Sequence, residues 1–458
     1  MARRVTVFRL AAFLLMALAA AGCGDPPPPR RVFLITIDTL RADHLGLYGY
    51  RRPTSPFLDS LGERSLVFDH AFASSSHTAP SHASLFTALH PAQHRVLRNG
   101  EALSDAVITL ARIYRELGYR TAAFSTVSFL RGLRAGFDEF SSERRFHPAA
   151  EILAKALAWV RGQDAGDRLF VWIHLYDVHQ WSKESQVDRA ALKTLKETSG
   201  ELRGEQLLDY LRREHGTEFE PGRGKVLSAV NRYDAQILSV DRALADFFAA
   251  VEAEGLGREA LWAVTSDHGE GLGNHDYMGH GKTLYAEQIR VPLLLHFSDG
   301  RYPPRRVGGL VQLVDLGATL AELAGASFDG QVIPAAGRSL RPLLADPGRV
   351  WDAQTVYAER RPADEQRLAE GWPPGDVVAL RTARYKLIVY SEGDDEIYDL
   401  EGDPFELRNL IDDPPPEKDR LLEGLLRRHR AMKEEGERLG TGEINPEYIE
   451  ELKALGYL

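Results

Sequence analysis

Short runs of apolar and β-branched residues recur along the chain and are separated by longer stretches with helical periodicity. The apolar runs predict strands at residues 31–38, 120–126, 169–177 and 259–267. Apolar positions three and four residues apart predict helices at residues 104–118, 148–162 and 232–255. Strands that alternate with helices favour a mostly parallel sheet with helices on both faces. The pattern therefore predicts an α/β fold.

Two later segments depart from this alternation. Residues 181–225 are polar and charged, and we interpret them as a partly helical insertion beside the site, with a lid as one candidate role. The tail predicts strands and then a charged helix, at residues 377–390, 396–400 and 416–439. We therefore divide the chain into a main domain at residues 31–345 and a smaller α+β subdomain at residues 346–458.

The first thirty residues are typical of an export signal. Arginines flank an apolar run that is too short to span a membrane and ends in LAAAGC. This ending resembles the lipobox of bacterial lipoproteins, which predicts a signal peptide at residues 1–22, a lipid-modified Cys23 and a Pro-rich tether at residues 23–30. An ordinary secretory signal with an incidental cysteine is the alternative. The lipoprotein interpretation predicts a bacterial cell-envelope protein, anchored to a membrane and facing the periplasm or the exterior.

The net charge and the cysteine content limit which partners the protein can bind and which side chains can catalyse its reaction. The formal net charge is −10 and no long basic stripe occurs, so nucleic acid is excluded as a partner. Cys23 is the only cysteine of the chain, which excludes a disulfide framework and argues against a cysteine-based active site. The catalytic residues must therefore come from oxygen and nitrogen side chains.

Three of the predicted strands end in an aspartate, namely Asp38, Asp177 and Asp267. Ligands of open parallel sheets bind at the carboxyl ends of the strands. A single aspartate at such an end is usually a turn residue. Three of them with histidines close by favour a functional site.

Six motifs follow one another along the chain. They read LITIDTLRADHLGLYGY, TAPSHASLFTALHPAQHRV, YDVHQW, TSDHGEGLGNHDYMGHGKTLYAEQIRVPLLL, GRSLRPLL and LRTARYKLIVY followed by EIYDLEGDPFELRNL. In this order they resemble the motifs of the sulfatase family, which belongs to the alkaline-phosphatase superfamily. The resemblance spans residues 31–412. It implies an alkaline-phosphatase-like sheet sandwiched by helices and a metal-dependent site that acts on an anionic ester.

The resemblance implies one divalent metal ion, held by Asp38, Asp267 and His268 together with Thr78. Calcium-type sulfatases often have a second Asp after the first one and an Asn after the later one, whereas this chain has Thr39 and His268. Fewer oxygen ligands and one imidazole favour Zn²⁺, Mn²⁺ or Mg²⁺ over Ca²⁺. A histidine that only hydrogen-bonds within a turn is the alternative role for His268.

Thr78 stands where sulfatases carry the residue that is oxidised to formylglycine. The family pattern is C/S-x-P-x-R and the chain reads T-A-P-S-H, with His82 in place of the arginine. Oxidation of threonine would give a ketone, so formylglycine is not expected. A threonine has one oxygen and must form an ester with the transferred group, a route that suits phosphorus better than sulfate. Pro80 favours a helix that begins near Thr78, where an anion is stabilised, although Thr78 could also be a simple N-cap.

Three further residues are candidates for contacting the substrate. The motif YDVHQW resembles the stretch that places a histidine on the substrate anion, which implies this role for His179. The motif MGHGKTLY resembles the segment that contacts the anion and the leaving group, and both His280 and Lys282 fit it. Either one could act as a general acid. A solvated loop residue is the usual role of such a lysine.

A two-metal site is a further alternative. It would need another Asp and two His, and Asp177, His179 and either His174 or His275 are the residues available. His174 and Asp177 lie on alternate sides of a predicted strand and would point apart. We therefore expect a single metal.

Three functions remain compatible with the sequence. The first is a metal-dependent hydrolase or transferase with Thr78 as nucleophile, for which phosphate or phosphonate esters are the natural substrates. The second is a sulfatase that works without formylglycine. The third is a surface-tethered binding protein without catalysis, which the intact set of Asp38, Thr78, Asp267 and His268 argues against.

Overall fold

The computed structural model describes residues 26–143, 145–217, 222–351 and 355–439. The predicted signal peptide and Cys23 lie outside these residues. No helix within the described residues combines the length and the apolar character needed to cross a membrane.

The strands fall into a large central sheet, a smaller sheet near the C-terminus and a short hairpin. Their bounds are β1 (Arg31–Ile37), β2 (Leu66–Phe72), β3 (Arg120–Ser125), β4 (Glu139–Ser142), β5 (Leu169–Leu175), β6 (Ala260–Thr265), β7 (Gly271–Leu272), β8 (Met278–Gly279), β9 (Arg290–Val291), β10 (Leu293–Phe297), β11 (Arg305–Gln312), β12 (Val356–Arg360), β13 (Val377–Arg381), β14 (Tyr385–Tyr390) and β15 (Glu396–Asp399). The four strands predicted for the main domain correspond to β1, β3, β5 and β6.

Thirteen α-helices lie in the described residues. Their bounds are α1 (Pro56–Gly62), α2 (Thr78–Thr87), α3 (Pro91–His94), α4 (Leu110–Glu116), α5 (Ala149–Arg161), α6 (Arg189–Thr198), α7 (Gly204–His215), α8 (Arg223–Ala253), α9 (Ala286–Ile289), α10 (Leu313–Leu323), α11 (Arg341–Ala345), α12 (Glu365–Ala369) and α13 (Lys418–Glu437). Short 3-10 turns lie at Ala42–His44, Gly46–Tyr48, Ser128–Leu133, Val178–Ser182, Glu184–Gln186 and Asn274–Asp276.

The central sheet has the order β11-β2-β10-β6-β1-β5-β3-β4, and β9 pairs with β2 at its side. The pairs β1–β5, β1–β6, β3–β5, β3–β4 and β2–β11 are parallel, whereas β9 and β10 run antiparallel to their neighbours. The sheet is therefore mostly parallel, which confirms the predicted α/β class. The first strand, β1, lies in the middle of it.

Both faces of the central sheet are covered. Side chains of β1 alternate between two cores, with Val32 and Leu34 in one and Phe33 and Ile35 in the other. The first core includes residues of α2, α4 and α10, and the second includes residues of α5 and α8. A strand buried on both faces reads as a continuous apolar run, which is why the sequence pattern identified β1.

The insertion at residues 181–225 is partly helical, as predicted, because it contains α6 and α7. Its helix α6 packs on α8, through Ala191 and Leu195 against Ala235 and Leu238. Two helices differ from their predicted bounds. Helix α8 begins at Arg223, before the predicted start at residue 232. Helix α4 begins at Leu110, after the predicted start at residue 104, because the Thr109 side chain caps it by accepting from the Arg112 amide at 3.2 Å. The described part of this insertion is thus packed against the domain.

The C-terminal segment forms an antiparallel sheet in the order β12-β13-β14-β15, covered on one face by α13. The predicted boundary at residues 345 and 346 falls between α11 and β12. The structure adds β12, whose short sequence of mixed polarity gave no clear strand pattern. The amide of Glu359 in β12 donates to the carbonyl of Ser74 at 2.9 Å, so the smaller sheet is attached beside α2.

Candidate active site

Two aspartates meet at the carboxyl end of the central sheet. Asp38 follows β1 and Asp267 follows β6, and these neighbouring parallel strands pair up to Thr36 and Thr265. Both carboxylates are buried. The Oδ1 atom of Asp267 accepts hydrogen bonds from the amides of Thr39 at 3.2 Å and His268 at 3.0 Å. The strand register therefore brings together two residues that are far apart in the sequence.

Thr78 is the first residue of α2, in agreement with the helix start expected from Pro80. Its Oγ1 atom lies 3.5 Å from Oδ2 of Asp38 and 3.3 Å from Nε2 of His268. The Nδ1 atom of His268 lies 2.9 Å from the carbonyl oxygen of Gly269 and can only donate to it. In the neutral ring this leaves the lone pair of Nε2 directed at Thr78.

The three predicted protein ligands fit a metal ion. Asp38, Asp267 and His268 each offer one ligand atom, and these atoms lie within 4.8 Å of one another. Among the described residues, Oδ1 of Asp38 and Oδ2 of Asp267 find no hydrogen-bond partner. Unpaired carboxylate oxygens in a buried site carry a large desolvation cost, which a bound cation removes.

The two buried carboxylates differ in their proton affinity when no cation is present. Burial and the neighbouring charge of Asp267 raise the pKa of Asp38 well above its usual value. Burial also opposes the ionisation of Asp267, but His268 and His82 outweigh it and lower the pKa of Asp267. The pair therefore holds one negative charge more readily than two, and a cation would stabilise the second.

Thr36 is the hub of a buried hydrogen-bond network behind the carboxylates. Its Oγ1 atom accepts from Nε1 of Trp172 at 3.0 Å and lies 3.0 Å from Nδ1 of His174 and 3.0 Å from Nε2 of His82. Burial lowers the pKa of His82 to about 3 and that of His174 to about 4, so both rings are neutral at pH 7.

Hydrogen-bond accounting fixes the tautomers of both rings. Nδ1 of His82 lies 2.8 Å from the carbonyl oxygen of Thr78 and must donate to it, so its Nε2 accepts the hydroxyl proton of Thr36. Nδ1 of His174 then donates to Thr36. This leaves Nε2 of His174 without a proton, 3.2 Å from Oδ2 of Asp38. Two lone pairs that face each other require a proton or a cation between them.

A second group of side chains leads from the metal ligands to the solvent. The ring of His280 lies 4.7 Å from that of His268 and 4.9 Å from that of His179, between centroids. Nδ1 of His280 lies 3.2 Å from Oε1 of Glu270, and Nε1 of Trp181 donates to Oε2 of Glu270 at 2.9 Å. Glu270 orients His280, a role that the sequence analysis missed although Glu270 follows His268 closely in SDHGEG.

Lys282 lies beside Tyr277, a residue that lines the cleft. Its Nζ atom is 5.4 Å from the ring centre of Tyr277, whose hydroxyl donates to the carbonyl of His280 at 2.9 Å. The ring of His280 packs on that of His268, a candidate metal ligand, and the geometry therefore favours His280 over Lys282 as the group beside the reacting atoms. The cleft that these residues border is lined by His77, His179, Glu270, Tyr277, His280 and Trp372.

The residues of the two-metal alternative do not come together. Oδ1 of Asp177 accepts from the amide of Ala149 at the start of α5, and burial raises the pKa of Asp177 to about 7. Nδ1 of His275 pairs with Oε1 of Glu287 at 3.0 Å. Within the described residues, one further group of potential ligands consists of Asp43, His44 and His215. Both oxygens of that Asp43 already accept from Arg41, and His44 is bonded to Asp234.

Comparison with known proteins agrees with this fold. The family model named Sulfatase matches residues 30–326, and the model named N-sulphoglucosamine sulphohydrolase, C-terminal, matches residues 273–434. The chain therefore belongs to the sulfatase family of the alkaline-phosphatase superfamily. It is a sulfatase-like ester hydrolase, which argues against a binding protein without catalysis. Members of this superfamily are generally metal-dependent, and the ligand group described above is the candidate site.

Relatives of different specificity resemble the chain over most of its length. It is 24% identical to the multifunctional alkaline phosphatase superfamily protein PehA of Trinickia caryophylli, over 84% of this chain and 92% of that protein. It is 24% identical to the Delta 4,5-hexuronate-2-O-sulfatase of Bacteroides thetaiotaomicron, over 91% of each. The structure of the phosphonate monoester hydrolase of Agrobacterium radiobacter matches with a TM-score of 0.68 and 19% identity, over 89% of this chain and 96% of that one.

Proposed function

We propose that the protein is a metal-dependent hydrolase of phosphate or phosphonate esters, with Thr78 as its nucleophile. The observation that carries the proposal is the position of the Thr78 hydroxyl, 3.3 Å from Nε2 of His268 and 3.5 Å from Oδ2 of Asp38. Asp38, Asp267, His268 and Thr78 would hold a divalent cation. When bound, such an ion lowers the pKa of the Thr78 hydroxyl and offsets the charge of the transferred group.

In the first half-reaction Thr78 reacts as the alkoxide, its proton having passed to water. The Thr78 oxygen bonds to phosphorus, and the bond between phosphorus and the oxygen of the substrate alcohol breaks. His280 donates a proton to the departing oxygen. His179 donates a hydrogen bond to the anionic oxygens, and the dipole of α2, whose first residue is Thr78, favours their negative charge.

In the second half-reaction water attacks phosphorus of the phosphothreonine. The bond between phosphorus and the Thr78 oxygen breaks, and phosphate leaves. His280, now deprotonated, accepts the proton of the attacking water, which restores its starting state. An acceptor alcohol in place of water would make the protein a transferase.

The chemistry of threonine supports a phosphoester over a sulfate ester. Formylglycine hydrate has two hydroxyls, one to attack and one to expel sulfate, whereas Thr78 has one and relies on attack at the central atom. A sulfatase that works without formylglycine is the second candidate, and the 24% identity to the hexuronate sulfatase favours it.

A panel of metal-reconstituted assays tests the proposal. We expect turnover of 4-nitrophenyl phosphate, bis(4-nitrophenyl) phosphate or 4-nitrophenyl phenylphosphonate that falls about 10³-fold or more in Thr78→Ala. Ser84→Ala is the matched control, because Ser84 lies in the same helix and its hydroxyl bonds to His94 instead. Thr78-dependent release of sulfate from 4-nitrophenyl sulfate, with little phosphoester turnover, would establish the second candidate.

We also propose that the protein is a lipoprotein of the bacterial cell envelope. The support is the LAAAGC sequence that ends at Cys23. Metabolic labelling with palmitate should mark the wild-type protein and not Cys23→Ala. Equal labelling of both proteins would exclude a lipid anchor at Cys23.

A further inference from the structure

A second pocket opens beside the catalytic cleft, and arginines dominate its walls. In the part of the chain that the structure describes, it is lined by Arg98, Arg360, Arg361 and Arg367, together with His77 and Trp372. We call it the arginine pocket. Its residues His77, Arg367 and Trp372 also line the catalytic cleft, so the two spaces share a wall.

The arginine pocket is attached to the helix that carries the nucleophile. His77 directly precedes Thr78 in the sequence. Asn99 also lines the pocket, and its Oδ1 atom accepts from the amide of Ala79 at 2.8 Å. Asn99 is 4% exposed, and its Nδ2 atom finds no acceptor among the described residues. A buried amide donor without an acceptor is costly, which points to an acceptor supplied by a ligand.

Arg360 is buried, and the carboxylate of Asp376, which acts on its charge without an ion pair, is itself paired with Lys433 at 3.1 Å. The Arg360 guanidinium donates to the carbonyl oxygens of Arg361 at 2.8 Å and Pro373 at 2.9 Å, and it makes no ion pair with any residue that the structure describes. Its Nε atom has no partner there either, and the residue is 2% exposed. Burial lowers the pKa of Arg360 to about 10, since water no longer stabilises the charge.

Arg98 adds a second uncompensated charge. It is half-buried on the pocket wall, and its guanidinium makes neither a hydrogen bond nor an ion pair within the described residues. The other two arginines are paired with carboxylates: Arg361 lies 3.1 Å from Glu101, and Arg367 lies 3.3 Å from Asp364. The pocket therefore keeps a net positive charge and free guanidinium donors.

We propose that the arginine pocket binds a second oxyanion, carried by the alcohol portion of the substrate whose ester is cleaved at Thr78. This inference rests on the function proposed above. Guanidinium groups bind the planar or tetrahedral oxygens of carboxylate, phosphate and sulfate through paired hydrogen bonds. The pocket and the cleft share His77, Arg367 and Trp372, and the proposal is that one small molecule extends from one into the other. The substrate class is thus an ester of an anionic alcohol, such as a sugar acid or a sugar phosphate.

Binding of stable phosphonate probes tests this inference without turnover. The probes form two sets: benzylphosphonate with its ortho, meta and para carboxylated forms, and the C-linked methylphosphonates of glucose and of glucuronic acid. Calorimetry on the metal-loaded protein should show that a probe with a carboxylate binds at least about tenfold more tightly than the matching probe without one. Arg98→Gln should remove this preference. Its affinity for the probe without a carboxylate should stay within about twofold of that of the wild-type protein.

Arg213→Gln is the control, because it removes the same charge from an exposed position on α7. Arg98→Lys should retain a part of the preference, since lysine keeps the charge but lacks the paired N–H donors of the guanidinium. Equal affinities for all probes within each set, or a preference that survives Arg98→Gln, would overturn the inference.

Two further outcomes separate this inference from its alternatives. Binding of inorganic sulfate that depends on Arg98, without any preference for acid-bearing probes, would mean that the pocket takes a free anion and would overturn the assignment to the substrate. Failure of the proposed function would instead appear as turnover that does not depend on Thr78. The calorimetric preference is measured on unreacted probes and is independent of that result.

Discussion

The Nε2 atom of His174 lies 3.2 Å from Oδ2 of Asp38, and the hydrogen bonds behind it leave this nitrogen without a proton. His174 lies on β5 and Asp38 directly follows the neighbouring strand β1, and the register of the two strands pairs His174 with Thr36. The neutral imidazole is therefore held by the central sheet against Asp38, a candidate metal ligand. This arrangement makes His174 a positioning residue for Asp38 or a further ligand.

We expect His174→Gln to weaken binding of Zn²⁺ or Mn²⁺ by about 10-fold to 100-fold, the usual effect of losing a partner of a metal ligand. Competition with a chromogenic chelator measures this affinity directly. His296→Gln is the control, because His296 is also on a strand of the central sheet but bonds to the carbonyl of Arg64. An unchanged affinity in His174→Gln would show that His174 only fills the core.

The loss of kcat on replacement of His280 should depend on the leaving group of the substrate. A general acid matters most when the departing alkoxide is basic, so His280→Gln should lower kcat for phenyl phosphate by about 10²-fold to 10⁴-fold and for 4-nitrophenyl phosphate far less. Glu270→Gln should show the same trend with a smaller loss, because Glu270 acts through His280. Equal losses for both substrates would exclude His280 as the acid.

The ion pair between His275 and Glu287 should make stability depend on pH. Burial disfavours the charged ring, but Glu287 outweighs it and raises the pKa of His275 to about 9. A histidine whose folded pKa is raised stabilises the fold fully below its unfolded pKa of about 6.5 and loses this contribution as the pH rises to about 9. The contribution is of the order of 3 kcal/mol before solvent screening.

Urea unfolding of His275→Gln across this range checks the prediction. The difference in unfolding free energy between wild type and variant should be largest below pH 6.5 and should shrink towards pH 9. A constant difference over the whole interval would mean that His275 acts through its stacking on Tyr285 instead, at 3.6 Å between ring centres.

Gly269 separates the metal ligand His268 from Glu270 and has no room for a side chain. A Cβ atom there would lie 2.0 Å from the carbonyl oxygen of Glu287. Gly269→Ala should therefore destabilise the fold by about 1–3 kcal/mol and weaken metal binding as well. Gly424→Ala, with no atom within 4 Å of the added Cβ in α13, should instead stabilise by about 0.5–1 kcal/mol. Thermal unfolding of both variants gives the comparison.

The sequence was sufficient for the parts of the site that follow from local pattern. Apolar strands that end in an aspartate pointed to Asp38, Asp177 and Asp267. The structure brings Asp38 and Asp267 together, whereas Asp177 accepts from the amide of Ala149 instead. Thr78 and His268 came from the resemblance to the sulfatase motifs. His174 could not be assigned in this way, because its partner depends on the register between β5 and β1. The residues of a buried hydrogen-bond network are specified by tertiary contacts, and they leave no periodic pattern in the sequence.

The arginine pocket illustrates the same limit at longer range. Arg98 lies shortly after α3 in the main domain, whereas Arg360 ends β12 in the smaller sheet. Their approach depends on how β12 attaches beside α2, through the amide of Glu359 and the carbonyl of Ser74. No spacing in the sequence encodes that attachment. An isolated arginine in a polar stretch looks like a solvated surface residue.

The central position of β1 has a consequence for synthesis of the protein. The first strand to leave the ribosome is apolar on both faces, and its two hydrogen-bonding edges are completed only by β5 and β6, which end at Leu175 and Thr265. At about 5–20 residues per second, the second edge stays open for roughly 10–50 s after β1 has been made. An open apolar strand is a template for aggregation. The unpaired edge of β1 therefore stays exposed until β6 has been made.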